Sequence, residues 1–251
     1  MSRTPPRQFT VLDKTEITPH MLRITLGGAG MVDFPADQAS AYVKLRFAQA
    51  HSDRPLLRTY TVRSQREDAI DIDFVLHHDG GPASRWADQA TPGDTIEIGG
   101  PGPAKRVDPR ADWFLLVGDM TALPAISANL ETLPANARGR AVIEVIDRAD
   151  IQDLRAPEGI QLDWVINARP GRDSDVLCEA VRALNWAAGR PSIWVACEFA
   201  SMRKLRAHLK DERGVAKEDL YISSYWKLGS NEERHKVEKR EDAESAESAG
   251  A

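Results

Sequence analysis

The chain has 251 residues, 42% of them apolar, enough for one large domain or two smaller ones with real cores. Its formal net charge of -5 argues against broad nucleic-acid binding, which needs a clustered basic surface. The opening MSRTPPRQF lacks the apolar core of a secretory signal and no run approaches the length of a membrane span, so a cytoplasmic monomer with no membrane or nucleic-acid partner is expected.

The first hundred residues read as short strands at 9–12, 21–26, 42–47, 58–63, 70–76 and 95–98, several alternating apolar with polar residues. Turn signals separate them at Gly27-Gly28, Asp79-Gly80-Gly81 and Thr91-Pro92-Gly93-Asp94, and one helix interrupts the run from about Pro82 to Gln89. A small closed antiparallel barrel is the economical way for such strands to avoid exposed edges. The side-chain-poor run Gly99-Gly100-Pro101-Gly102-Pro103 then marks a domain boundary, with a barrel domain over 1–107.

Beyond it, strands and helices alternate. WFLLV (113–117), AVIEVI (141–146), LDWVI (162–166), SIWVA (192–196) and DLYISSYW (219–226) are strands, with helices at about 124–133, 174–188 and 201–212. Continuous apolar strands between helices are the pattern of a parallel sheet covered on both faces, so residues 108–236 are expected to form an α/β domain with a ligand beyond the carboxyl ends of its strands. The last segment, 237–251, is charged and almost without apolar residues; it reads as a solvated helix extension or a disordered tail. Cys178 and Cys197 fall in segments that read as buried helix and buried strand, so both are expected to be small core residues.

Three stretches carry chemistry. In Arg58-Thr59-Tyr60-Thr61-Val62-Arg63, a guanidinium fork could pair with a pyrophosphate, Tyr60 offers a flat face, and Thr61 could bond a ring nitrogen of a flavin. Ideal alternation puts Arg58 and Tyr60 on one face and Thr61 on the other, so contact of all three with one ligand demands a twist or bulge; an ordinary barrel strand with an exposed arginine fits the same residues. The run His77-His78-Asp79-Gly80-Gly81-Pro82-Ala83-Ser84 ends a strand and opens a helix with proline at its first position, where free amides and the helix dipole would face an anion. The adjacent histidines point to opposite faces of a strand and are not expected to share a metal ion. Gly118-Asp119-Met120-Thr121 after the first strand of the second half, together with Cys197-Glu198, would lie at one rim of the sheet, without a G-x-G-x-x-G fingerprint.

The runs RTYTVR, DIDFVLHHDGGPASRWA followed by PGD, VGDMTALPAI, WVACE and YWKLGSNEERHK, in this order and spacing, resemble the siderophore-interacting protein family, from about residue 7 to 236. That family comprises flavin-dependent ferric-siderophore reductases related in fold to ferredoxin–NADP reductases. The resemblance implies an FAD-binding barrel followed by an NAD(P)H-binding parallel-sheet domain, with NADPH or NADH as electron source and a ferric siderophore as substrate. It implies that Arg58, Tyr60 and Thr61 hold the flavin, that His77 lines its site, and that Gly81, Ala83 and Ser84 meet the pyrophosphate. Asp119 and Thr121 would belong to the nicotinamide-side pocket, with Glu198 at the same rim and Trp226 near the flavin. Met120 stands where the family usually has an acidic residue, and Cys197 where it often has glycine.

The implied reaction passes a hydride to FAD and single electrons to Fe(III), so no nucleophile, general base or resident metal is expected and none is assigned as catalytic. A general reductase with another acceptor, or a non-enzymatic binding protein with a degenerate pocket, would share this sequence pattern. Asp147 at the end of strand 141–146 would suit a free ribose 2′-hydroxyl and Arg148 a 2′-phosphate, with a slight lean to NADPH. For an anionic chelate, Lys227 and Arg234 are the expected contacts, with Lys44 and Arg46 as helpers.

Overall fold

A computed structural model of the protein describes residues 5–49, 52–76, 80–230 and 232–249. Its contacts gather into two compact units, Met1–Arg106 with Leu123–Asn136 and Asp147–Glu158, and Val107–Ala122 with Ala137–Ile146 and Gly159–Ala251.

In the first unit, β1 (Arg7–Thr18), β2 (Met21–Gly27), β3 (Tyr42–Gln49), β4 (Ser52–Gln65), β5 (Ala69–Val75) and β6 (Thr95–Gly99) close an antiparallel barrel in the order β1-β2-β5-β4-β3-β6. Period-two alternation sends Ile24, Leu26, Val43, Leu45, Ile70, Ile72 and Phe74 into one core. Strands β1 and β4 run longer than the apolar pattern alone indicates, because each continues as one arm of a long ladder with its neighbour. The outward aspartates of β5 are buried under arginines: Asp73 receives Arg23 through two bonds of 2.6 and 2.8 Å, and Asp71 receives Arg66, Ser64 and Thr25. Helix α1 (Pro82–Gln89) packs on β2, β3 and β5. Helix α2 (Leu123–Leu130) lies against β4, tied by Arg63 to Glu131 and by Asn129 to Ser40.

In the second unit, β7 (Trp113–Gly118), β8 (Arg138–Val145), β9 (Gly159–Ile166), β10 (Pro191–Glu198) and β11 (Leu220–Trp226) form a wholly parallel sheet in the order β11-β10-β7-β8-β9. Its strands are nearly uniformly buried at the centre, as a sheet covered on both faces requires. Helices α3 (Val176–Arg182) and α4 (Phe199–Arg206) close one core over it, where Cys178 and Cys197 are buried free thiols. The helix expected over 201–212 is α4 followed by a π turn at Ala207–Glu212. The charged end, whose composition allows helix or disorder, is helical as α5 (Glu232–Ala249) and is fixed by bidentate Arg206–Asp242 bonds of 2.6 and 3.0 Å and by Lys239 on Ser223. No helix among the described residues is long and apolar enough to cross a membrane.

Candidate functional site

On the barrel, β4 carries the first candidate residues. Its register with β3 is regular from Leu56 to Thr61, which sets Arg58 opposite Leu45 and Tyr60 opposite Val43, on the core-facing side, and Thr61 opposite Tyr42 on the outer side. The register shift of β4 falls later, between Val62 and Ser64 on the β5 side, so no bulge turns the three side chains onto one face. What they share is an edge: the β4–β5 ladder begins at Val62↔Ile72, and residues 58–61 lie beyond it. Main-chain groups on that side of β4 face away from β3 and are placed to meet a ligand. Tyr60 is half-buried with its ring 4.4 Å from that of Phe74, which braces one aromatic face. Arg58 is half-buried with a bond of 2.8 Å from Nη1 to the Leu57 carbonyl, and Thr61 is buried.

The start of α1 has the chemistry of an anion site. Its N-cap is Gly81, which supplies no side-chain acceptor, and Pro82 occupies the first turn. Among the described residues, a Cβ added at Gly81 would meet nothing within 4 Å. Ala83 and Ser84 follow in that turn, where amides lack intrahelical partners and the dipole is positive. A guanidinium, a braced aromatic ring and an uncapped helix start within one unit fit a flavin that carries a pyrophosphate. His77, with His78 and Asp79, lies outside the described residues.

At the carboxyl rim of the parallel sheet, the strand order reverses between β7 and β10, the position where open α/β sheets take ligands. Asp119, just past β7, is buried and spends both oxygens on protein donors. Its Oδ1 accepts the Thr121 amide at 2.9 Å and the Thr121 hydroxyl at 2.5 Å; its Oδ2 accepts the Glu198 amide and the Trp226 indole N–H, both at 2.8 Å. Burial pushes this carboxyl above the usual range, against the pull of those donors. Glu198, also buried, caps α4 by accepting the Ala200 and Ser201 amides at 2.5 and 3.3 Å, and takes the Leu228 amide at 3.2 Å. A register shift between Cys197 and Glu198 on the β11 side pairs Glu198 with Trp226, and this bulge brings the indole to Asp119. Gly171, at φ +79, is packed so closely that a Cβ there would meet Trp226 at 3.0 Å and Leu228 at 3.1 Å. The structure thus brings Asp119, Thr121, Glu198 and Trp226 together.

Sequence reasoning missed Glu144. The register places Gly118 opposite Ile143 and Ala196, so Asp119, Glu144 and Cys197 follow at one level of the sheet. Glu144 is 5% exposed and its Oε2 has no hydrogen-bond partner. Burial, and then the charges of Asp119, Glu198 and Asp173, push its carboxyl up to about 7, against a hydrogen bond with Asn167. The signal was a single carboxylate inside the apolar run AVIEV of β8.

The remaining expected contacts are scattered. Arg148 is exposed in a short turn whose N-cap is Asp147, with the Asp147 carboxylate engaged by the Ala149 amide at 2.8 Å. Lys44 bonds the Thr59 hydroxyl and lies over the Tyr42 ring, and Arg46 pairs with Glu97 at 2.9 Å, all on the outer barrel face. Lys227 and Arg234 converge on one oxygen of Glu238, at 3.0 and 3.3 Å. Among the described residues, no group of three or more His, Cys, Asp or Glu is placed to hold a metal ion.

Comparison with known proteins assigns both halves. Residues 10–53 and 49–105 match the siderophore-interacting FAD-binding domain, and residues 111–229 match the siderophore-interacting protein model. The chain is 34% identical to the ferric vibriobactin reductase ViuB of Vibrio cholerae over 95% of this chain and 96% of that protein. Among solved structures, it superposes on the siderophore-interacting protein SipS from Aeromonas hydrophila with a TM-score of 0.86 and 33% identity, covering 96% of this chain and 98% of that one. A siderophore utilization protein from T. fusca gives a TM-score of 0.82 at 33% identity, over 92% of this chain and 96% of that one.

Proposed function

The chain belongs to the siderophore-interacting protein family, and from that premise we propose that it is an FAD-dependent ferric-siderophore reductase that draws electrons from NADPH or NADH and releases Fe(II) in the cytoplasm, acting as a monomer. The observation that carries this reading is the pairing, in one chain, of a barrel helix start left without a side-chain cap and a parallel-sheet rim built at the strand-order reversal. The first suits the pyrophosphate of a flavin and the second a nicotinamide dinucleotide. In this reading the barrel domain is 1–107, the NAD(P)H domain 108–236, and 237–251 an accessory end.

FAD, when bound, supplies the change from a two-electron donor to a one-electron acceptor. The residues of the chain bind and orient. Arg58 would hold a phosphate as a charge-assisted fork, and the amides of Ala83 and Ser84 with the Ser84 hydroxyl would donate to the pyrophosphate beside Gly81. Tyr60, braced from behind by Phe74, offers its other face to the ring system, and Thr61 offers a polar contact. Asp119 acts through Trp226 and Thr121, holding an indole and a hydroxyl in place at the rim, while Glu198 fixes the start of α4. Arg148, exposed and without an ion pair among the described residues, suits a 2′-phosphate and supports the lean to NADPH, since the Asp147 carboxylate is already engaged as a cap.

The iron chelate is substrate. Oxygen ligands hold Fe(III) far more tightly than Fe(II), so reduction alone loosens the complex and no nucleophile or general base has to act. Lys227 and Arg234, with Lys44 and Arg46, are the proposed contacts for an anionic chelate against the overall negative charge. Steady-state turnover with a panel of ferric siderophores, quinones and free flavin tests the reading. Ferric chelates are expected to be reduced with the highest kcat/KM, and preference for a quinone or free flavin would assign the protein to a different reductase class.

A further inference from the structure

We propose that Glu144 is a further member of the reduced-cofactor pocket, and that its unpartnered Oε2 is the polar position kept for the carboxamide of a nicotinamide ring. The proposal rests on the NAD(P)H reading of the rim. A buried side-chain oxygen without a partner is uncommon in a native fold and calls for a ligand, a water or a function. Its neighbours define which ligand. Asp119 and Glu198 stand at adjacent strand ends on either side of the strand-order reversal, and Asp173 adds a third carboxylate from the loop after β9. The charges of these three carboxylates bear on Glu144 and disfavour a phosphate beside it. A metal ion does not fit, because no metal-holding group of side chains exists among the described residues.

A neutral primary amide does fit. It offers an N–H to a carboxylate oxygen and a carbonyl to a carboxylic O–H, so it pairs with Glu144 in either protonation state. Asp119 and Glu198 are unsuited to that task, since N–H and O–H groups of the protein already take their oxygens. Glu144 is the carboxyl of the shell that still has an oxygen to give. It shares the face of Val142 and lies at the level of Cys197 and Val165, apolar residues that suit the flat ring carrying the amide. The Gly171 loop packs against Trp226, Leu228 and the neighbouring Glu198.

The test is calorimetric binding to the FAD-loaded protein of NADP+ and of 2′-phospho-ADP-ribose, which lacks the nicotinamide, with NAD+ and ADP-ribose as the second pair. Wild type should bind the dinucleotide more tightly than its fragment. Glu144→Leu should weaken NADP+ about tenfold, the worth of one lost hydrogen bond at a desolvated site, and leave the fragment unchanged. Glu144→Gln, which keeps an amide able to donate and accept, should stay within about threefold of wild type. Removing a buried carboxyl relieves desolvation, so the leucine variant should unfold at a urea midpoint no lower than wild type. Equal loss for NADP+ and fragment, no loss for either, or a wild type that binds both alike would overturn the role of Glu144. A wild type that binds neither NADP+ nor NAD+ would overturn the reduced-cofactor reading itself, and this proposal with it.

Discussion

Two helix starts in this molecule are built in opposite ways. Helix α1 begins at Gly81 with no side-chain acceptor, whereas α4 begins at Glu198, whose carboxylate accepts two of its first-turn amides. The physical need is the same at both, since first-turn N–H groups require an acceptor. At α4 the chain supplies the anion itself, and the amides are satisfied within the fold. At α1 the capping residue supplies none. A helix start of the second kind binds an external anion, and one of the first kind holds side chains in register around it. The rim of the parallel sheet is therefore built for positioning, and on the proposed function the start of α1 is left for a phosphate.

Breaking the rim should have the largest effect. Asp119→Ala leaves the Trp226 indole N–H, the Glu198 amide and the Thr121 amide without their acceptor. A loss of about 2–4 kcal/mol in urea unfolding is expected from orphaned buried donors. A variant as stable as wild type would show that these bonds do not hold the rim together. On the barrel the balance reverses, with binding lost and stability kept. Arg58→Ala should weaken FAD by about 1.5–3 kcal/mol, the range for a charge-assisted contact, with little change in unfolding. Unchanged FAD affinity would remove Arg58 from the site.

A smaller effect separates the two regions by pH. The Glu144 carboxyl is raised to about 7 in the fold, above its ordinary value of 4.5, chiefly by burial, with Asp119, Glu198 and Asp173 adding repulsion. The folded state therefore holds this proton longer than the unfolded chain does. Stability is lost progressively as pH rises from about 4.5 to about 7. Glu144→Gln should remove that loss, so its stability relative to wild type grows across this window and levels off above it. A difference between the two proteins that is flat with pH would show that Glu144 does not titrate there. Weakest of all should be the surface contacts. Lys227 and Arg234 both pair with Glu238, and exposed pairs contribute little. Replacing both by alanine should raise KM for an anionic ferric siderophore about two- to threefold at low salt. Screening over about 8 Å should erase the effect at physiological ionic strength. An unchanged KM at low salt would move the docking surface elsewhere.

Much of this organisation is legible in the sequence. Alternation in MLRITL, YVKLRF and IDIDFV becomes the barrel wall, and the unbroken apolar run WFLLV becomes the centre of the parallel sheet. Gly81-Pro82 reads directly as an open helix start because glycine and proline fix local backbone geometry. What depends on long-range register does not read so easily. The bulge at Glu198 that carries Trp226 to Asp119 spans residues 107 apart, and no local pattern encodes it. Likewise, Arg58, Tyr60 and Thr61 invite the expectation of a bulge between them, whereas the ladder with β3 runs straight and the shift comes at Arg63. The isolated carboxylate of AVIEV was visible as a letter, but its neighbours come from three other segments.

On the proposed function, this chain passes electrons from a nicotinamide dinucleotide through FAD to siderophore-bound iron. The most direct measurement is the absorbance spectrum of the purified protein, recorded without oxygen, before and after NADPH or NADH and again after a ferric siderophore. Flavin absorbance is expected on purification, with bleaching by the reduced dinucleotide and a return as a ferrous chelator reports Fe(II). A protein that is colourless and takes up no added FAD, or a bound flavin that no ferric siderophore reoxidises, would contradict it.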